Sequence, residues 1–129
     1  MGKIFGHRGL PRIYRENSIT GLNKAFEYCD YVETDVRITA DNNLILFHDP
    51  DINGQFINEL STDEILSKLD DVEKDELILS SRDQIEGKVN FEIKTNSLEK
   101  TQIYILFQKM LSILSCLLYT SPSPRDRLK

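Results

Sequence analysis

Four short apolar runs, each carrying or closing on a histidine, an acid or a lysine, constrain the fold of this chain most. They are residues 3–6 ahead of His7, residues 31–36 with Glu33 and Asp35 inside, residues 44–48 ending in Phe47-His48, and residues 89–94 ending in Glu92-Ile93-Lys94. Each has the length of a strand, and stretches of helical spacing separate them. Residues 17–29 place Ile19, Leu22, Phe26 and Cys29 on one helical face, with Asn17 or Ser18 able to cap the start. Ser61-Thr62-Asp63-Glu64 is a capping box ahead of Ile65, Leu66 and Leu69. A last helix is expected from near Ser97 to about residue 114. Thr39-Ala40-Asp41-Asn42-Asn43 is turn chemistry, whereas residues 70–88 are charged and show no clear period. Strands alternating with helices predict an α/β fold with a parallel sheet, and such folds place their chemistry at the C-terminal ends of the strands.

A chain of 129 residues is enough for one domain with a core. Its net charge of −5 offers no basic stripe for nucleic acid and makes a cation the more natural bound partner. Two cysteines, Cys29 and Cys116, form neither a disulfide framework nor zinc spacing. The start, Met1 to Phe5, lacks the apolar core of a signal peptide, which predicts a cytoplasmic location. Residues 103–119 are rich in Ile, Leu, Phe and Met, but Gln108 and Lys109 interrupt them, so they read as an amphipathic helix rather than a membrane span. Residues 115–129 are expected to be a non-native or disordered tail. They hold two of the four prolines and lose apolar periodicity. The stretch from Cys116 to Asp126 also resembles translated sequencing-adapter read-through. Residues 1–114 are then the folded unit.

Side chains two apart on a strand share a face, so Glu33 lies with Asp35 and Glu92 with Lys94. Carboxylates gathered on one face repel unless a cation joins them, and their oxygens suit hard divalent ions such as Ca2+ or Mg2+. The only two histidines, His7 and His48, have ordinary pKa values near neutrality and are the natural acid–base pair for cleaving a phosphodiester. Arg8 has the planar fork that clamps phosphate oxygens, and Lys94 is either a second phosphate contact or a partner for Glu92. Gly9 serves a sharp turn that lets backbone approach the substrate. Glu16, Asn17 and Asp49 are candidate supporting residues. Glu16 reads equally well as a first-turn acid favoured by the helix dipole.

In order and spacing, His7-Arg8-Gly9, Glu16-Asn17-Ser18, Glu33-Thr34-Asp35-Val36-Arg37, Thr39 with Asp41, His48-Asp49-Pro50 and Phe91-Glu92-Ile93-Lys94 resemble the glycerophosphodiester phosphodiesterase family over about residues 3–95. The resemblance implies a TIM barrel that hydrolyses glycerophosphodiesters to glycerol 3-phosphate and an alcohol with a divalent cation. It assigns His7 and His48 to acid–base catalysis, Glu33, Asp35 and Glu92 to the metal, and Arg8 and Lys94 to the phosphate. In place of the Pro-Thr-Leu-like segment usual before the Glu-x-Lys strand, this chain has Leu77-Ile78-Leu79-Ser80-Ser81-Arg82-Asp83. A closed barrel of this kind takes roughly 250 residues and eight strands. The expectation here is a partial barrel of about four N-terminal βα units, inactive alone. The alternatives are a non-catalytic binder of phosphate esters or divalent metal, and a related phosphodiesterase acting on lysophospholipids or phosphoinositides.

Overall fold

Strand β2 (Tyr31–Ile38) organises the molecule, because its two faces and both its edges are used. The computed structural model describes residues 5–9 and 15–119. On one edge, β2 first pairs in parallel with β1 (Phe5–His7) and then, from Val36 onward, antiparallel with β3 (Leu44–Leu46). On the other edge it pairs in parallel with β7 (Val89–Ile93), Val32 opposite Val89 and Val36 opposite Ile93. A short strand β6 (Ile78–Leu79) extends the sheet antiparallel to β3.

The antiparallel β3 corrects the expectation of a third parallel unit. Among the described residues the parallel strands are β1, β2 and β7. The reason is length: a parallel crossover needs roughly a dozen residues or more, and 39–43 is a tight turn. Thr39 N–H donates to the Asn43 carbonyl, Asn42 N–H donates to the Thr39 carbonyl, and Asn42 takes a left-handed φ of 65°.

Alternate residues of β2 go to opposite faces. Val32, Val36 and Ile38 join Leu44 and Leu46 in a core covered by α1 (Ile19–Ala25) and α4 (Lys100–Tyr119), which contribute Leu22, Ala25, Leu106, Met110 and Ile113. A second cluster gathers Ile45, Ile57, Leu60, Ile65, Leu77 and Ile78. Ile52 of β4 (Asp51–Ile52), which forms a hairpin with β5 (Gln55–Phe56), packs against it, and α2 (Thr62–Ser67) and α3 (Lys74–Leu77) supply Ile65 and Leu77. The expected capping box of α2 is present, with Ser61 Oγ accepting from Glu64 N–H and Glu64 Oε1 accepting from Ser61 N–H. The uncharacterised stretch 70–88 contains α3, β6 and a single 3-10 turn at Arg82–Gln84.

Ser18 caps α1 as anticipated, but that helix ends at Ala25 rather than near Cys29. α4 starts at Lys100 and runs unbroken past residue 114 to Tyr119. Residues 120–129, most of the expected tail, lie outside the described residues. Among those described, no helix is long and apolar enough to cross a membrane.

Candidate active site

The charged face of β2 carries Glu33, Asp35 and Arg37, while its apolar face is sealed by α1 and α4. Register brings Asn90 opposite Glu33 and Glu92 opposite Asp35, and Lys94 N–H extends the ladder to the Val36 carbonyl. His7 ends β1 with its backbone opposite Glu33; its side chain lies outside the described residues.

Asp35 is the hub and is 2% exposed. Asn17 Nδ2 donates to its Oδ2 at 3.0 Å, Arg8 Nε lies 3.4 Å from the same oxygen, and Lys94 Nζ is 3.9 Å from Oδ1. Arg8 Nε is buried without a hydrogen-bond partner: it is near enough to Asp35 for charge attraction but not aligned to donate. Arg8 Nη1 also pairs with Glu16 at 3.5 Å. Arg8 sits at φ 56° and Asn17 at φ 54°, left-handed conformations that cost side-chain-bearing residues energy and concentrate at functional sites.

Asn17 does structural work that its sequence position alone did not show. β1 leaves β2 after Glu33 and β3 begins only at Val36, so the β2 edge between them needs another partner. The Asn17 side-chain carbonyl fills that gap, accepting from Asp35 N–H at 3.3 Å and from Thr34 Oγ1 at 2.9 Å. Gly9 adopts φ +83°, the left-handed conformation of a sharp turn, and a Cβ there would stand 2.9 Å from the Gly21 backbone of α1.

Lys94 donates to Glu92 at 2.9 Å. That hydrogen bond first, then the contact with Asp35, holds Glu92 below the ordinary carboxylate range; the nearby His48 acts in the same direction. Glu92 is therefore ionised at neutral pH. His48 lies where β3 ends, and its Nδ1 is 2.8 Å from Asp49 Oδ1. Asp49 is acceptor-only when ionised, so this contact puts the proton on Nδ1 and leaves Nε2 as the basic nitrogen. A cleft of about 260 Å3 opens beside it, lined by Arg15, Glu16, Asn17, Leu46, Phe47, His48 and Asp49. A larger one, about 440 Å3, is lined by Thr20, Asn23, Lys24, Phe26, Glu27 and Glu86 and contains none of the sheet-face residues.

Among the described residues no group of three His, Cys, Asp or Glu side chains converges closely enough to hold a metal ion. Asp35 stands opposite Glu92 in the β2–β7 register, and Glu33 precedes Asp35 by two residues on the same face of β2. Lys94 lies against two of the three and supplies compensating charge, and Asp35 is engaged by Asn17 and Arg8. The donor set still suits a hard divalent cation in its chemistry, being all carboxylate oxygen with Glu92 ionised.

Arg37 was absent from the sequence-derived site. It is 6% exposed, and burial lowers its pKa against the opposing pull of Asp35, Asp49, Asp51 and Glu92. The two-residue spacing from Asp35 was the available signal. Thr39 and Asp41, part of the motif set, prove structural: Asp41 Oδ1 accepts from Thr39 Oγ1 at 2.6 Å and from Thr62 N–H at 2.9 Å, fastening the β2–β3 turn to the start of α2.

The model of the glycerophosphoryl diester phosphodiesterase family matches residues 7–112. A glycerophosphodiester phosphodiesterase of Caldanaerobacter subterraneus is 34% identical over 73 residues, covering 52% of this chain and 30% of that protein. The crystal structure of a glycerophosphodiester phosphodiesterase from Thermotoga maritima aligns with a TM-score of 0.62 at 25% identity, covering 88% of this chain and 50% of that one. A phosphodiesterase of Oleispira antarctica, solved with the product sn-glycerol 3-phosphate, aligns with a TM-score of 0.64 at 19% identity over 89% of this chain and 52% of that one. The chain thus spans about half the length of these solved structures and less than a third of the curated relative.

Proposed function

Because the chain belongs to the glycerophosphoryl diester phosphodiesterase family, we propose that in a complete barrel it hydrolyses glycerophosphodiesters to glycerol 3-phosphate and an alcohol. The carrying observation is the grouping of Asp35, Glu92, Lys94 and Arg8 on adjoining strand ends, beside a histidine whose Nδ1 is engaged by Asp49.

In this reading His48 Nε2 and His7 exchange protons with the attacking and leaving oxygens, one as base and one as acid. Asp49 holds the His48 tautomer. Arg8 and Lys94 meet the phosphate oxygens, and the misaligned Arg8 Nε is a donor still to be satisfied. Glu33, Asp35 and Glu92 would hold a divalent cation, Ca2+ or Mg2+, which when bound supplies charge stabilisation to the phosphoryl oxygens. Asn17 keeps the Asp35 carboxylate fixed, and Glu16 restrains Arg8.

The test is release of glycerol 3-phosphate from glycerophosphocholine by a hybrid barrel. It would join residues 7–112 to the second half of a full-length relative and be assayed with and without Mg2+ or Ca2+. Cation-dependent turnover is expected, and His48→Ala should lower it by about 10²–10⁴-fold. A folded hybrid that binds the cation yet releases no glycerol 3-phosphate would sink the catalytic reading and leave a binding protein.

A further inference from the structure

We propose that Arg37 is a positioning residue for His48. Its forked guanidinium clamps the peptide that carries the imidazole and so holds the His48–Asp49 pair in its working arrangement. The proposal rests on the acid–base role given to His48 above.

The segment leaving β3 has few other restraints. Phe47 N–H is the last ladder bond, to the Asp35 carbonyl, and the next backbone anchor is the Pro50 carbonyl, which accepts from Ile57 N–H. Between these lie His48 and Asp49 in a bend with no ladder partner among the described residues. Arg37 reaches this gap from the charged face of β2. Its Nε and Nη2 both donate to the His48 carbonyl, at 3.1 and 2.6 Å. Two donors of one rigid plane on a single acceptor restrain both the distance and the tilt of that peptide.

The consequence falls on the side chain. The Nδ1–Asp49 contact of 2.8 Å links adjacent residues, so its geometry follows the backbone between them. A pivot of the 48–49 peptide moves the carboxylate relative to the ring. It releases the preference for the Nδ1-protonated tautomer and shifts the ring relative to the cleft that His48 lines. Lysine at position 37 would keep the charge but replace the fork with a single donor on a flexible stem.

The experiment uses the full 129-residue chain labelled with 15N only at histidine. With two histidines in the sequence, the imidazole spectrum contains two residues, assigned by a His7→Asn variant. Wild type should show neutral His48 protonated at Nδ1. Arg37→Gln should shift it to a tautomer mixture, with methylguanidinium restoring the wild-type pattern, while the far-UV spectrum stays unchanged. A folded Arg37→Gln chain with an unaltered His48 pattern would overturn the proposal. If Arg37→Gln does not fold, Arg37→Lys decides: a mixed pattern supports the clamp, and a wild-type pattern refutes it. None of these readouts needs turnover, so an inactive hybrid barrel would overturn the function while leaving the clamp standing. In an active hybrid, Arg37→Gln should lower kcat by about 10²-fold with little change in KM.

Discussion

The layer of β1, β2, β7, α1 and α4 and the segment from Ile45 to Ile78 each bury an apolar cluster, yet they are completed differently. The larger cluster joins Leu22, Val32, Val36, Leu106 and Met110 from elements far apart in sequence. Its outer side is not covered by described residues. Val89, Phe91 and Ile93 of β7 are only half-buried, and Tyr104, Phe107, Leu111 and Leu114 of α4 are exposed. The smaller cluster closes through neighbours: Ile57, Leu60, Ile65 and Leu77 follow one another along a few short elements, and a capping box starts its helix. Polar contacts help hold the two together. They include Arg37 to His48, Asp41 to Thr62, Thr20 to Glu76, and Asn58 to Ser97 and Gln102. The site straddles this seam, since Asp35 and Glu92 stand on the layer and His48 at the entrance to the smaller segment. Its geometry therefore depends on hydrogen bonds rather than on either core.

The sharpest break comes from the cores. Leu106→Ala should cost about 2–5 kcal/mol and lower the urea midpoint of the whole chain, because Leu106 is fully buried beneath the sheet. Ile65→Ala should cost a similar amount locally, yet loosen residues 57–78 first while the β2 amides keep their protection in hydrogen exchange. Simultaneous loss of protection in both regions would show a single cooperative unit.

Next comes the seam. Asn58 Nδ2 donates to Ser97 and Gln102, and Gln102 Nε2 returns a bond to the Asn58 carbonyl. Asn58→Ala should cost about 1–3 kcal/mol. A double-mutant cycle with Gln102→Ala should reveal coupling, and strict additivity would argue that the pair does not act as one clamp.

Asp41 gives the smallest effect and a pH dependence. Burial opposes its ionisation, but hydrogen bonds from Thr39 and Thr62 outweigh it and leave its folded pKa lowered from 3.8. Its contribution is therefore present above the unfolded value and is lost as pH falls through the lower folded value. For so exposed a carboxylate the loss should be about 1 kcal/mol or less. Urea midpoints between pH 6 and pH 3 should fall less steeply in Asp41→Asn than in wild type; parallel curves would remove Asp41 from the clasp.

Much of the frame is written in local pattern. β2 reads as a strand because Val32, Val36 and Ile38 alternate with charged residues. α2 is marked by Ser61 and Glu64, whose reciprocal bonds span three residues. The direction of β3 is not written in its own pattern, because an apolar strand looks alike in either orientation and only the short turn at 39–43 dictates reversal. The pattern also overstates the length of α1, since Phe26 and Cys29 keep helical spacing in the turns that follow it.

The sequence by itself determined the chemical inventory: two histidines, the acids on alternating strand positions, Arg8 and Lys94, and the Asp49 that adjoins its histidine. Tertiary structure alone decided who touches whom. Asn17 reaches Asp35 across 18 residues, and Arg37 reaches the His48 carbonyl across 11. These contacts follow from where β1 stops, where β3 starts and how β2 is registered between them. A side chain two positions along a strand changes neighbours completely if that register slips by one, so no local spacing can encode such contacts.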